Sequence, residues 1–160
     1  RPDRVIIELT ENQRTYDYDL LREAAKHYRA MGFEIAIDDL GEGFSSLRLW
    51  SELRPEYVKI DMHFIQGVGQ DPVKRQFVSS IQQIAEKSGT QVIAEGIETG
   101  AELQVIKELG IAHGQGYYIT RRLRESRSRY RTCVPALGAL RTFAMKCLPG
   151  LSGGLSSRLF

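Results

Sequence analysis

The chain alternates short β-branched runs with longer stretches in which apolar positions recur every three or four residues. VIIEL (5–9) is nearly all apolar, as suits a parallel strand covered on both faces. Leu21, Ala24, Ala25, Tyr28 and Met31 then follow at helical spacing, and Gly32 stands where a left-handed C-cap is expected. FEIAI (33–37) reads as a second strand, SSLRLWSEL (45–53) as a short helix, and EYVKI (56–60), after Pro55, as a third strand. Phe77, Val78, Ile81, Ile84 and Ala85 mark the apolar stripe of a helix around 73–88, closed by Gly89. QVIA (91–94) is the fourth strand, and Leu103, Ile106 and Leu109 mark another helix stopped by Gly110. GQGYYI (114–119) reads as the fifth strand. Five strands alternating with four helices are serial βα units, and right-handed crossovers join such strands into a parallel sheet. The fold class is therefore α/β, and the alternation alone fits an open doubly wound sheet or a barrel.

The polar residues favour the barrel. Glu8 ends the first strand, Asp38 and Asp39 follow the second, Lys59 and Asp61 end the third, Glu95 ends the fourth, and Gln115 begins the last. Ionisable groups beside a β-branched core are costly to bury unless they are paired or hold a metal. Polar groups at equivalent places on successive strands converge on one rim, the arrangement of a (β/α)8 barrel. Carboxylates at Glu8, Asp38, Asp39 and Glu95 are hard oxygen ligands suited to Mg²⁺ or Mn²⁺. Adjacent Asp38 and Asp39 could serve two ions roughly 3.5–4 Å apart. Lys59 adds a point charge able to orient water or offset phosphate charge, and GEGFSS (41–46) reads as a loop that could close over the site.

Charge divides the chain unevenly. The net charge is +2 over 160 residues, yet the segment from Arg121 onward holds nine basic residues against Glu125 alone. Residues 1–120 are correspondingly acidic and carry all of the strand–helix alternation, so we expect one folded unit over 1–120 and an irregular or non-native tail over 121–160. That tail contains Cys133 and Cys147, too few for a disulfide scaffold or a four-cysteine zinc site. No stretch of about 18 apolar residues offers a membrane span, and no secretory signal is visible. A reducing, cytoplasmic setting is the expectation. A basic tail could bind nucleic acid, but it lacks the interleaved aromatics of a base-stacking surface. His27, His63 and His113 lack metal-ligand spacing, and Trp50 and Phe64 read as packing groups.

ELTE (8–11), DDLGEGFSSL (38–47), VKID (58–61), IAEGIET (93–99) and HGQGYY (113–118) occur in this order between residue 4 and about residue 120. Together they resemble the EAL family, bacterial phosphodiesterases that hydrolyse cyclic di-GMP. The resemblance implies the C-terminal portion of such a domain: strands four to eight of the barrel, with the Glu-Ala-Leu motif and a ligand Asn expected before residue 1. It implies Glu8 and Asp38 as ligands of a first metal ion, Asp38 bridging, and Asp39 as a ligand of a second. Glu95 would bind metal or act as general base, Lys59 would position the attacking water with Asp61 beside it, and Gln115 would hold the site or the substrate. Glu11 would anchor the DDLGEGFSSL loop, and Gly41, Gly43 and Glu98 belong to the same supporting set. The implied reaction is in-line attack of activated water on one phosphodiester, giving linear pGpG, with little or none expected from this portion alone. Implied partners are cyclic di-GMP, upstream sensor or GGDEF-type domains in a full-length relative, and a second copy paired through the 38–53 loop and helix. The loop departs from the family's usual Asp-Asp-Phe-Gly followed by Thr or Ala: Leu40 and Glu42 stand at the third and fifth positions. A non-catalytic module binding cyclic di-GMP or a protein is the alternative, against which retention of Asp38, Asp39 and Glu95 argues.

Overall fold

Hydrophobic alternation sets the sheet. In the computed structural model, which describes residues 5–9, 17–41 and 44–121, the strands are β1 (Ile6–Leu9), β2 (Glu34–Leu40), β3 (Tyr57–Ile60), β4 (Gln91–Ala94) and β5 (His113–Gly114). They form one sheet in sequence order, and every neighbouring pair is parallel. Between them run α1 (Tyr18–Ala30), α2 (Phe44–Leu53), the short α3 (Met62–Ile65), α4 (Pro72–Ser88) and α5 (Gly100–Glu108). Glu11, Glu42, Gly43, both cysteines and the chain beyond Arg121 lie outside the described residues.

Successive side chains of a strand face opposite ways, and the two faces are buried differently. Ile7, Ile35, Ile37, Val58, Ile60, Val92 and Ala94 join the main core with Ala25, Leu49, Trp50, Val78, Ile81, Ala85 and Ile106 of the helices. Ile6, Ala36, Tyr57 and Ile93 point the other way and form a separate small cluster. That second layer is the start of a barrel interior.

Local chemistry fixes the helix ends. Asp17 and Asp71 accept backbone N–H groups at the starts of α1 and α4, and Pro72 occupies the first turn of α4. Gly89 closes α4 in the left-handed conformation. At the lower end of the sheet Trp50 Nε1 donates to Thr90 Oγ1 (3.1 Å), which donates to the Pro55 carbonyl (3.0 Å). Arg29 pairs with Glu56 at 2.8 Å, and the Glu56 carboxylate accepts the Ile35 amide. No described helix is long and apolar enough to cross a membrane.

The structure corrects three expectations. The fifth strand is His113–Gly114 only, and residues 117–121 turn into helix. Gly116 explains the break: a Cβ there would lie 2.3 Å from the backbone N and O of Ile97, so the chain must pass that segment at close range and leave the sheet. β2 runs on through Asp38 and Asp39 to Leu40 instead of ending before them. Ile84, read as part of the stripe of α4, is 49% exposed, because it lies at the flank of the face that Val78, Ile81 and Ala85 turn to the core. Trp50 is buried and Phe64 stacks on Phe77 at 4.1 Å, so both pack as expected.

Two glycine substitutions separate backbone conformation from contact. Gly89→Ala meets open space at φ +73° and is expected to cost about 1 kcal/mol, whereas Gly116→Ala must displace Ile97 and is expected to cost about 2–3 kcal/mol. Urea unfolding of the two variants checks the order; equal losses would mean the Ile97 segment yields freely.

Candidate active site

The same period of two that builds the inner layer also builds the site above it. Glu8, Asp38, Lys59, Glu95 and Gln115 each stand two residues after Ile6, Ala36, Tyr57, Ile93 and His113, so they face the same side at the carboxyl ends of the strands. Gln115 follows β5 instead of opening it, which sets it on the same rim as the others. Beneath them the Tyr57 and His113 rings meet edge to face at 6.0 Å, and His113 hydrogen-bonds the Gln91 side chain.

Lys59 is the centre. It is 5% exposed, and its Nζ lies 3.2 Å from Glu8 Oε1, 2.8 Å from Asp38 Oδ1 and 2.8 Å from Glu95 Oε1. One ammonium therefore links acids from β1, β2 and the end of β4. Glu95 is fixed twice more: its amide donates to the Ile60 carbonyl at 3.1 Å, and its carboxylate accepts Gln115 Nε2. Gln115 is itself anchored through its amide on the Ala94 carbonyl at 2.9 Å.

Asp39 reaches the site through an irregularity. Regular alternation would turn it away from Asp38, but the register of β2 against β3 shifts between Ile37 and Leu40, and Asp39 has φ +53°. Such bulges re-aim side chains next to active sites. As a result Asp38, Asp39 and Glu95 each offer one carboxylate oxygen, all within 4.8 Å of one another.

The three carboxylates on the ammonium, with Asp39 beside them, perturb each other. Burial pushes Glu95 up to about 7, with Asp38 and Asp39 adding to the effect and Lys59 opposing it. Glu8 is also raised, chiefly by burial. Burial alone would lower Lys59, but Glu95, Asp38 and Glu8 outweigh it, so the lysine stays charged. The excess of hard anionic oxygen over cation is the chemistry of a divalent-metal centre of the Mg²⁺ or Mn²⁺ type.

Other expected site residues stand in the surrounding loops. Asp61 starts α3, accepting the His63 amide at 2.7 Å. Glu98 is exposed and accepts Gln66 Nε2 at 3.1 Å. Gly41 ends β2 against the Phe64 ring. Glu11 and Gly43 lie outside the described residues. Sequence reasoning missed Tyr57, the floor of the site, and Glu102, whose signal was the Thr99-x-x-Glu102 spacing of a capping box.

The sequence matches the EAL domain family over residues 1–122. It is 32% identical over 114 residues to the probable cyclic di-GMP phosphodiesterase PdeG of Escherichia coli K12, covering 71% of this chain and 22% of PdeG. It is 33% identical over 120 residues to MucR of Pseudomonas aeruginosa, a bifunctional diguanylate cyclase/cyclic di-GMP phosphodiesterase, covering 75% of this chain and 18% of MucR. Among solved structures, a standalone EAL protein of Vibrio cholerae O395 in its c-di-GMP bound form superposes with a TM-score of 0.70 at 31% identity, over 74% of this chain and 50% of the other. The manganese/cy-diGMP complex of Klebsiella pneumoniae BlrP1 gives 0.68 at 35% identity, over 73% and 30%. The chain thus spans at most half the length of these relatives. The structural likeness supports reading the five-stranded sheet as part of a (β/α)8 barrel.

Two measurements probe these electrostatics without added metal. Glu95 holds its proton more tightly folded than unfolded, so between its ordinary value of 4.5 and about 7 the folded state carries the extra proton, and stability should fall as pH rises through that window. Glu95→Gln should flatten that slope in urea unfolding by about one proton; an unchanged slope would count against a buried Glu95. Lys59→Met leaves three carboxylates without their shared cation and should cost about 3 kcal/mol or more at pH 7.5.

Proposed function

The chain belongs to the EAL domain family, and from that premise we propose that it carries part of the metal-dependent site that hydrolyses cyclic di-GMP to linear pGpG. The observation that carries this reading is the gathering of Glu8, Asp38 and Glu95 on Lys59 with Asp39 brought in by the bulge. Asp38, Asp39 and Glu95, with Glu8, would hold Mg²⁺ or Mn²⁺, and the closely spaced oxygens of the first three, half-buried, fit such an ion. When bound, the metal supplies a Lewis acid and a water of lowered pKa.

The residues of the chain do the rest. Glu95, standing beside Lys59 and Asp38 at the mouth of the strands, would take a proton from the attacking water. Gln115 keeps that carboxylate turned into the site. Lys59 presents its charge beside Glu95 and Asp38, where it can orient the water and offset charge growing on the phosphoryl oxygens. The water oxygen bonds to phosphorus as one ester P–O bond breaks, and the departing ribose oxygen takes up a proton, opening the ring to pGpG.

Support for the substrate comes from PdeG, named a probable cyclic di-GMP phosphodiesterase, from the bifunctional MucR, and from the V. cholerae and BlrP1 complexes with that nucleotide. The described sheet has five strands, and barrel closure takes all eight. We expect slow or nil turnover from the described five-stranded sheet by itself. A cytoplasmic setting, and sensor or GGDEF-type domains in a longer relative, complete the proposed reading.

Incubation of the chain with cyclic di-GMP and Mn²⁺, read by chromatography, tests the reaction, and electron paramagnetic resonance of free Mn²⁺ tests the site. Mn²⁺ binding is expected in the unsubstituted chain and should weaken by about tenfold or more in Asp39→Asn. Absence of both Mn²⁺ binding and pGpG would sink the proposal.

A further inference from the structure

Glu102 does more than a helix cap requires. It lies in the first turn of α5, is 7% exposed, and forms a capping box with Thr99: its amide donates to Thr99 Oγ1 at 3.2 Å while its Oε2 accepts the Thr99 amide at 3.0 Å. A capping box needs nothing further. Here Oε2 also accepts the Glu98 amide at 2.9 Å, and Oε1 accepts the amide of Gly67 at 3.0 Å. Gly67 belongs to the turn after α3, 35 residues earlier in sequence. One carboxylate therefore joins two separate loops.

The loops it joins flank the site. The 95–99 segment connects β4 to α5 and begins with Glu95. A second link runs parallel to the first, from Gln66 Nε2 to the Glu98 carboxylate at 3.1 Å. On its other side the segment is held by the Ile97 amide on the Gln115 carbonyl and by the Tyr118 amide on the Ile97 carbonyl, both 3.1 Å. Gly96 lies so close to Met62 that a Cβ there would come within 2.4 Å of its side chain. Burial alone would raise the pKa of Glu102, but the backbone donors of Gly67, Glu98 and Thr99 outweigh it and keep the carboxylate ionised.

We infer that Glu102 is a positioning residue for Glu95: by tying the 95–99 segment to the Gly67 turn, it sets where the Glu95 carboxylate stands relative to Asp38 and Asp39. The inference rests on the metal-site reading of the preceding subsection. Partners that orient metal ligands contribute about 10–100-fold to affinity, so the effect should be measurable although Glu102 touches neither metal nor substrate.

The test is a double-mutant cycle on the full 160-residue chain, read as Mn²⁺ affinity by electron paramagnetic resonance, with circular dichroism confirming the fold. Glu102→Ala should weaken Mn²⁺ binding by about tenfold in the unsubstituted chain but by less than about twofold in a Glu95→Gln background, since the effect travels through Glu95. Glu102→Gln keeps one acceptor oxygen and sets an amide group against the other donors, so it should give a smaller loss with the same dependence on Glu95. It carries the comparison if Glu102→Ala does not fold. Equal losses in both backgrounds, or no loss in the first, would overturn the inference and leave the metal site standing. Absence of Mn²⁺ binding by the unsubstituted chain would overturn both.

Discussion

A single buried ammonium holds the functional end of this molecule together. Lys59 rises from β3 between acids delivered by β1, β2 and β4, and each of those acids would be costly at its depth without a counter-charge. The pairing is thus a structural condition for bringing like charges close before any divalent ion arrives. Burial, with Asp38 and Asp39 nearby, pushes Glu95 up to about 7 despite its contact with the lysine.

Around that centre the fold spends its regularity in one place and breaks it in another. Period-two alternation puts Glu8, Asp38, Lys59 and Glu95 one layer above Ile6, Ala36, Tyr57 and Ile93, so no special device is needed to aim them. Asp39 does need one, and the bulge in β2 with its positive φ supplies it. The loops that follow the strands are then pinned by short-range chemistry: Asp61 starting α3, Glu102 gathering amides from two loops, and Gln115 bracing Glu95.

Much of this was legible in the amino-acid sequence. The strand–helix rhythm predicted four of the five strands to within a few residues, and the recurrence of acids where strands end predicted a shared rim. What escaped has physical reasons. GQGYYI looks like a strand because tyrosine and isoleucine favour one, yet the close passage of Gly116 over Ile97 ends the sheet at Gly114. Asp38 and Asp39 looked like a loop because consecutive acids rarely sit in a strand, and a bulge is a property of pairing that one strand alone does not announce. The second duty of Glu102 depends on Gly67, which no local pattern connects to it.

The small cluster of Ile6, Ala36, Tyr57 and Ile93 has one last consequence. Its side chains lie directly under the charged rim, so among the described residues the acids rest on an apolar layer. Nothing polar in that cluster's aliphatic members can share their charge, which leaves Lys59, Gln115 and whatever approaches from above to balance it.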